Sequence, residues 1–435
     1  MAGSTVRTIL AATVAQWECK REMRADFLLR NVQTAAAPGI IDIAIRDGLI
    51  VDMRQDIRCD AVEEEDFDGR FAFAGFADSH VHLDKACILE RCTICEGTLE
   101  EAVHETAKAK ANFTEADVFE RASAVVRQAI MHGTNRMRTF VEIDPRAGMR
   151  SFEAIKRVRE RYAFAIDIQI CAFAQEGLTQ EPETEAMLDE ALSTGADLIG
   201  GCPYTDPRPE EHVRRIFALA KKHDVDVDFH LDFSLDPAKT DLPAVIDATT
   251  ANGYGGRVTI GHVTNLSTLG PEDRSKVARR VAEAGIALVV LPATDLFLMG
   301  RGQAANIPRG VAPAHLLSAN GVRTAIATNN VLNPFTPFGD ASLGRMANLY
   351  ANVMQLSRDD AIDQVFAMVS ERAASIMGVD HRLQIGAPAD IVILDAHDPR
   401  HAVRSSAPAI AGWKAGRRTF ARPRPIIFDP VSSRS

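Results

Sequence analysis

Short apolar runs alternate with amphipathic stretches through the middle of the chain. The runs are typical of buried strands and lie at 74–81, 136–143, 165–173, 197–202, 226–231, 257–263, 286–292 and 322–328. Apolar residues at helical spacing fill the intervals between them, for example at 100–131, 210–222 and 271–284. Strands that alternate with helices in this way predict a closed parallel (β/α)8 barrel, a TIM-like fold of the α/β class.

An open, doubly wound sheet is the alternative architecture. That fold would carry a G-x-G-x-x-G phosphate loop at the start of its first helix, and the chain has no such motif there. The segment Gly253-Tyr-Gly-Gly256 precedes a strand, which is the wrong context for binding phosphate. The pattern therefore favours the barrel.

Both ends of the chain have strand patterns without helices between them. The early strands are predicted at 26–31, 40–46 and 49–53, with an Asp47-Gly48 hairpin turn before the last of them. The late strands are predicted at 389–395 and 409–417. We expect an N-terminal extension at 1–25, a composite β-sandwich from 26–73 plus 381–428, and the barrel at 74–380.

Composition narrows the class of protein. The 435 residues carry a net charge of −10, spread along the chain, which argues against binding to nucleic acid or an anionic membrane. No apolar run reaches the roughly 20 residues of a membrane-spanning helix. The seven cysteines do not resemble a disulfide framework, so we expect a cytoplasmic protein. Cys92 and Cys95 form a lone C-x-x-C, for which two packed thiols are a simpler interpretation than a zinc or redox site.

Four histidines lie at the ends of predicted barrel strands. His80 and His82 are two residues apart at the end of the first strand and so project from the same side. His230 ends the fifth strand and His262 ends the sixth. A single histidine in such a place is more often a core residue. Because parallel barrel strands end at one common mouth, four of them favour a shared site with a bound metal ion.

The ordered set of motifs resembles the amidohydrolase superfamily, in its cytosine deaminase-like branch, which includes triazine-ring hydrolases. The matching motifs are His80-Val-His82-Leu-Asp-Lys85, Ala172-Phe-Ala-Gln175, His230-Leu-Asp232, Gly261-His262 and the segment 330–339. The resemblance implies one Zn²⁺ or Fe²⁺ ion, and attack by a metal-bound hydroxide on a planar C–N centre. It also implies a homo-oligomer and a small nitrogen heterocycle as substrate.

The resemblance assigns roles to individual residues. It makes His80, His82 and His230 metal ligands, and it makes His262 the group that polarises the oxyanion or the attacking water. Gln175 matches a glutamine that hydrogen-bonds the heterocycle, a task that suits an amide because it donates and accepts in one plane. The alternative for Gln175 is a loop residue bonded to backbone.

Two departures from the family pattern fall on proton-transfer positions. Asn329 stands where the family has a metal-binding aspartate, and Phe233 stands where it has a glutamate that carries a proton. Neither an amide nor a phenyl ring is a general base near neutral pH. Asp232 and Asp295 are candidate catalytic replacements, and Asn329 remains a candidate member of the catalytic site. Lys85 and Phe233 are candidate contacts to the substrate.

The sequence therefore predicts a hydrolase that deaminates, or opens a cyclic amide in, a small nitrogen heterocycle or related amide. Its cofactor would be one divalent metal ion, or none if Asn329 has abolished metal binding. Two alternatives stay open. One is a metal-independent acid–base enzyme on the same barrel, and the other is a catalytically silent heterocycle-binding protein.

Overall fold

A computed structural model describes residues 24–423 and 425–428. All but the last two residues of the predicted N-terminal extension, 1–25, therefore lie outside the described residues. Within the described ranges the strands are β1 (Ala25–Gln33), β2 (Ile40–Arg46), β3 (Leu49–Arg54), β4 (Ala61–Phe73), β5 (Phe76–Val81), β6 (Thr134–Glu142), β7 (Asp167–Ala174), β8 (Leu198–Gly201), β9 (Asp226–Leu231), β10 (Val258–His262), β11 (Ala287–Val290), β12 (Arg323–Ile326), β13 (Ile391–Leu394), β14 (Ala409–Lys414) and β15 (Arg417–Ala421).

The α-helices of the described residues lie mainly between the central strands. They are α1 (Leu99–Lys110), α2 (Glu115–Met131), α3 (Arg150–Tyr162), α4 (Pro182–Ser193), α5 (Pro209–His223), α6 (Leu242–Ala251), α7 (Pro271–Glu283), α8 (Pro292–Leu298), α9 (Ala314–Ser318), α10 (Leu343–Val353), α11 (Asp359–Met368), α12 (Glu371–Ile376) and α13 (Pro399–Ser405). Within the same residues, no helix is both long enough and apolar enough to cross a membrane.

Strands β5 to β12 form one parallel sheet whose spatial order is the order of the chain. The sheet closes where Val81 pairs in parallel with Asn329, just past β12. The backbone N–H of His82 donates to the Asn329 carbonyl at 2.8 Å, and the Asn329 N–H donates to the His80 carbonyl at 2.9 Å. The predicted (β/α)8 barrel is confirmed.

The barrel strands are buried on both faces. Every residue of β5, β8, β10 and β11 is buried, which explains why β8 and β11 carry no polar side chain and do not alternate between apolar and polar residues. Their outward side chains join the helices in one large core. Inside the barrel, Arg138 and Asp228 form a buried ion pair at 3.0 Å.

The strands from the two ends of the chain form a second, mixed sheet in the order β15-β14-β13-β4-β1-β2-β3. Only β1 and β4 pair in parallel in this sheet, and its core is a separate cluster that includes Trp413. The sheet is joined to the barrel by Arg136–Asp390 at 2.9 Å and Lys414–Asp167 at 2.6 Å. A composite domain beside the barrel is therefore confirmed.

Three local predictions were wrong. The helix predicted at 100–131 is two helices, because Thr114 accepts a hydrogen bond from the Asp117 N–H and starts α2 afresh. The strand predicted at 409–417 is a hairpin, since Ala415 and Gly416 turn the chain with φ of 45° and 74°. Strand β4 was missed because its first half carries exposed acidic residues instead of apolar ones.

Gly200 tests how tightly the barrel is packed. A Cβ at Gly200 would collide with the backbone oxygen of Asp228 on the neighbouring strand β9, whereas a Cβ at the exposed Gly302 meets nothing within 4 Å. We expect Gly200→Ala to lower the free energy of unfolding by at least about 2 kcal/mol. The control Gly302→Ala should change it by less than about 0.5 kcal/mol. Urea denaturation followed by circular dichroism measures both free energies of unfolding. Equal denaturation midpoints for the two variants would contradict the close contact of Gly200 with β9.

Candidate active site

Three imidazole rings meet at the barrel mouth, where the eight strands have their carboxyl ends. His80 and His82 come from the end of β5, and His230 comes from β9. The Nε2 atom of His230 lies 3.0 Å from the Nε2 atoms of both His80 and His82. Gly261 on β10 leaves room for this cluster, since a Cβ there would lie 2.9 Å from the His80 ring.

The donor set suits a divalent cation. Burial lowers the pKa of His80, His82 and His230 well below the ordinary value, so the rings are neutral at physiological pH. Neutral imidazoles are the form that binds metal. Their nitrogens lie within 4.8 Å of one another, and among the described residues the buried Asn329 Oδ1 finds no hydrogen-bond partner. Three nitrogens and one unpartnered amide oxygen are therefore available.

A histidine–aspartate pair lies against this cluster. The His262 ring, at the end of β10, is centred 5.1 Å from the His230 ring, and its Nδ1 lies 2.6 Å from Asp295 Oδ1. Asp295 is fully buried in α8, and burial raises its pKa while contact with His262 opposes the rise. A carboxylate that accepts the Nδ1–H leaves the Nε2 of His262 free to take a proton.

A second group of side chains lies beside the histidines, and we call it the polar wall: Lys85, Glu142, Gln175 and Cys202. The Lys85 ammonium donates to Glu142 Oε1 at 2.5 Å and to Gln175 Oε1 at 3.3 Å. The Gln175 amide N–H in turn donates to the sulfur of Cys202 at 3.2 Å. These two contacts fix which way the Gln175 amide faces.

Lys110 sits behind this wall and neutralises several carboxylates. Its ammonium lies 2.9 Å from Glu142 and 2.6 Å from Asp144, and it also contacts Glu176. Burial alone would raise the pKa of Glu142, but the lysines Lys110 and Lys85 outweigh it and hold that pKa at about 2. These carboxylates have the spacing of a metal site, yet the lysine ammonium already occupies their centre.

Apolar side chains close the mouth beside His262. Phe233 packs with Leu298 and Phe335, and its ring lies edge-on to His262 with centroids 4.5 Å apart. The Lys85 ammonium lies 4.4 Å from the centre of the Phe335 ring, so the apolar and polar sides of the site meet there. The site therefore combines three converging imidazoles, a histidine–aspartate pair, a polar wall and an apolar wall.

The structure gathers the sequence-predicted residues at this mouth with one exception. The exception is Asp232, whose carboxylate accepts hydrogen bonds from Thr240, Asp241 and Asn265 and so holds the following loop.

Sequence reasoning did not single out Lys110 or Cys202. Cys202 directly follows β8, the same strand-end position that identified the histidines, so that signal could have found it. Lys110 ends an amphipathic helix, where a lysine is ordinarily a solvent-exposed residue. No comparable signal marks its buried position in the sequence.

Comparison with known proteins gives consistent matches along the chain. Residues 93–420 match the model of the Amidohydrolase family. A pterin deaminase from Rhizobium rhizogenes is 30% identical over 82% of each chain. An N-isopropylammelide isopropyl amidohydrolase from Pseudomonas sp. (strain ADP) is 25% identical over 90% of this chain and 96% of its own. The crystal structure of a 5-methylcytosine deaminase from Klebsiella pneumoniae superposes with a TM-score of 0.88 at 25% identity, covering 93% of this chain and all of that one.

Replacing Lys110 tests the charge network behind the polar wall. In the wild-type protein Glu142 has a folded pKa of about 2 against an ordinary value of 4.5. Its contribution to stability is therefore present above pH 4.5 and is lost as the pH falls towards 2. Lys110→Met removes the ammonium, and we expect it to cost about 3–5 kcal/mol at pH 8.

The loss of stability in Lys110→Met should be smaller at pH 5, because partial protonation then reduces the negative charge on the carboxylates that Lys110 no longer neutralises. Lys108→Met on the same helix is the matched control, because the Lys108 side chain is 68% exposed. Urea denaturation at both pH values measures the effect. A loss in the Lys110 variant that is equal at pH 5 and pH 8 would argue against the network.

Proposed function

Since this chain belongs to the Amidohydrolase family, we propose that it hydrolyses a C–N bond of a small nitrogen heterocycle at the histidine cluster. It is an enzyme that acts on non-peptide C–N bonds, as its deaminase and amidohydrolase relatives are. The observation that carries the proposal is the convergence of three neutral imidazoles beside the His262–Asp295 pair.

One divalent cation would be held by the Nε2 atoms of His80, His82 and His230, and the buried amide oxygen of Asn329, which has no hydrogen-bond partner among the described residues, would be a neutral fourth ligand. Imidazole ligands suit Zn²⁺ or Fe²⁺. A cation bound there supplies a Lewis acid that lowers the pKa of water. Because the side chain of Asn329 is an amide, it cannot act as a general base near neutral pH.

We assign the role of general base to His262. Its Nε2 accepts the proton from the attacking water and returns it to the nitrogen that leaves, while Asp295 holds the ring and stabilises its protonated form. Positions 329 and 233 carry no carboxylate. In this proposal the carboxylate is that of Asp295, which acts on the substrate through His262.

The polar wall binds the ring. Gln175 has its amide held by Lys85 on one side and Cys202 on the other, so its remaining N–H and its carbonyl oxygen have fixed directions. Lys85 adds a charged donor next to them. Together they suit a ring edge that carries a carbonyl oxygen or a ring nitrogen.

The alternatives find less support. A silent binding protein would not need a proton-transfer pair beside three converging imidazoles, and the relatives are enzymes. A metal-independent enzyme would leave the convergence of three neutral imidazole nitrogens, the spacing that holds a cation, without a function. The proposal further includes a cytoplasmic homo-oligomer and domains at 26–73 plus 381–428 and 74–380. The described cysteines are free thiols, which supports the cytoplasmic location. The strands of each sheet come from the corresponding set of residues, which supports the domain boundaries.

Metal content and turnover test the function together. For protein purified without chelator, we expect about one Zn or Fe per chain by inductively coupled plasma mass spectrometry. His80→Ala and His230→Ala should lose the metal and at least about a hundredfold in turnover of any pyrimidine, triazine, pterin or lactam that the wild type hydrolyses. His104→Ala is the control, since that side chain is 76% exposed. Full activity after exhaustive chelation, or in His80→Ala, would contradict the proposal.

Asp295→Asn tests the proton-transfer pair. The change keeps the shape but removes the charge that orients His262, so kcat should fall by about 10²–10⁴-fold. Metal content should stay at the wild-type level, because Asp295 contacts His262 and none of the three proposed ligands. Asp247→Asn, on the exposed face of α6, should leave kcat unchanged. A wild-type kcat in Asp295→Asn would exclude His262–Asp295 as the base.

A further inference from the structure

One tyrosine at the mouth of the barrel is not used by the proposed reaction. Tyr204 lies just past the end of β8, in a short turn at Pro203–Thr205. The Thr205 hydroxyl lies 3.0 Å from the backbone oxygen of Gln175 and 2.8 Å from that of Cys202. These contacts hold the turn against the loop after β7, so the position of Tyr204 is fixed relative to the polar wall.

The Tyr204 ring packs against both sides of the site. On one side it contacts a buried cluster that includes Phe173 and Cys202. The Phe173 ring in turn is centred 4.3 Å from the ring of His230. On the other side Tyr204 contacts the apolar cluster that includes Phe233. Both clusters are buried, but Tyr204 keeps part of its surface exposed. A molecule that enters between the polar and apolar walls would therefore meet this ring.

A chain of hydrogen bonds leads from the polar wall to the Tyr204 oxygen. The Gln175 amide donates to Cys202 Sγ at 3.2 Å, and the Cys202 thiol donates to Tyr204 Oη at 3.7 Å. Burial raises the pKa of Cys202 to about 12 and the pKa of Tyr204 well above its ordinary value, so both groups keep their protons at physiological pH. The phenol oxygen thus accepts from the thiol, and the phenol hydrogen has no acceptor among the described residues.

We propose that Tyr204 is a specificity-determining residue that donates its O–H to a ring carbonyl oxygen of the substrate. The inference rests on the proposed function. The Gln175 amide and the Tyr204 hydroxyl both contact the Cys202 sulfur, so they present two donors side by side. A carbonyl oxygen has two lone pairs and accepts from both donors, whereas an unprotonated ring nitrogen has one. The pair of donors therefore favours an oxo-substituted ring over a ring that offers nitrogens alone.

Loss of the carbonyl would weaken binding of an otherwise identical ring. Such a ring would displace water from the phenol and the amide without replacing the hydrogen bonds, and a buried donor left unpaired is costly. A site built to hydrogen-bond one group of its substrate strongly rejects an analogue that lacks this group. Tyr204 thus acts on the choice of substrate, while proton transfer stays with His262.

Matched pairs of compounds test the inference on the holoenzyme. Each pair joins an amino heterocycle that has a ring carbonyl to the same ring without it: cytosine with 4-aminopyrimidine, and pterin with 2-aminopteridine. Release of ammonia, followed with a coupled assay, gives kcat and KM for each compound. We expect the wild-type enzyme to prefer the oxo member of a pair by at least about a hundredfold in kcat/KM.

Tyr204→Phe removes the O–H and keeps the packed ring. It should lower that preference by at least about tenfold, mainly through a higher KM for the oxo compound, because the carbonyl accepts this hydrogen bond in the bound substrate as well as in the transition state. Tyr254→Phe is the matched control, since the Tyr254 ring packs against Phe217 outside the site and the change should retain the wild-type preference. A purely structural role of Tyr204 would instead lower the midpoint of urea denaturation and leave the preference intact.

The outcomes separate this inference from the proposed function. A wild-type preference in Tyr204→Phe overturns the role of Tyr204 and leaves the hydrolase standing. Equal turnover of the two members of a pair by the wild-type enzyme does the same. Release of ammonia from no member of either pair also overturns the inference, and metal content with the wider panel of heterocycles then decides the proposed function by itself.

Discussion

Closure of the barrel is the constraint on which the rest of this site depends. Asn329, just past the last strand, exchanges backbone hydrogen bonds with His80 and His82 at the end of the first strand. These bonds seal the sheet, and they also fix the two imidazoles that must meet His230 from across the barrel. Because the seal is made by backbone atoms, it does not depend on which side chain stands at position 329.

Burial then decides which chemistry the site supports. The imidazoles are neutral because they are out of water, and the same burial would be costly for the charged residues beside them. Lys85 and Lys110 offset this cost, because both ammonium groups form ion pairs with Glu142. Lys110 also forms ion pairs with Asp144 and Glu176. The result is a rigid polar wall, in which Gln175 has one orientation, next to an apolar wall centred on Phe233.

The acidic residue of the site does not lie at the positions where the family pattern that the sequence resembles has its acids. Positions 329 and 233 carry no acid, whereas Asp295 is buried and bonded to His262. In the proposed reaction this carboxylate acts through an imidazole instead of touching the substrate. The side chain beside His262 is the Phe233 ring, so the space next to this pair is apolar.

The sequence by itself determined the barrel, the composite sheet and the histidines at the mouth, because strand periodicity and strand-end position are local properties of the chain. It misplaced the breaks at 111–114 and 415–416, which depend on a cap and a turn. It offered both Asp232 and Asp295 as replacement acids. Only the tertiary structure separated them, because Asp232 binds its own loop while Asp295 reaches His262 from a different strand–helix unit, and no local pattern encodes which distant side chain a buried carboxylate will meet.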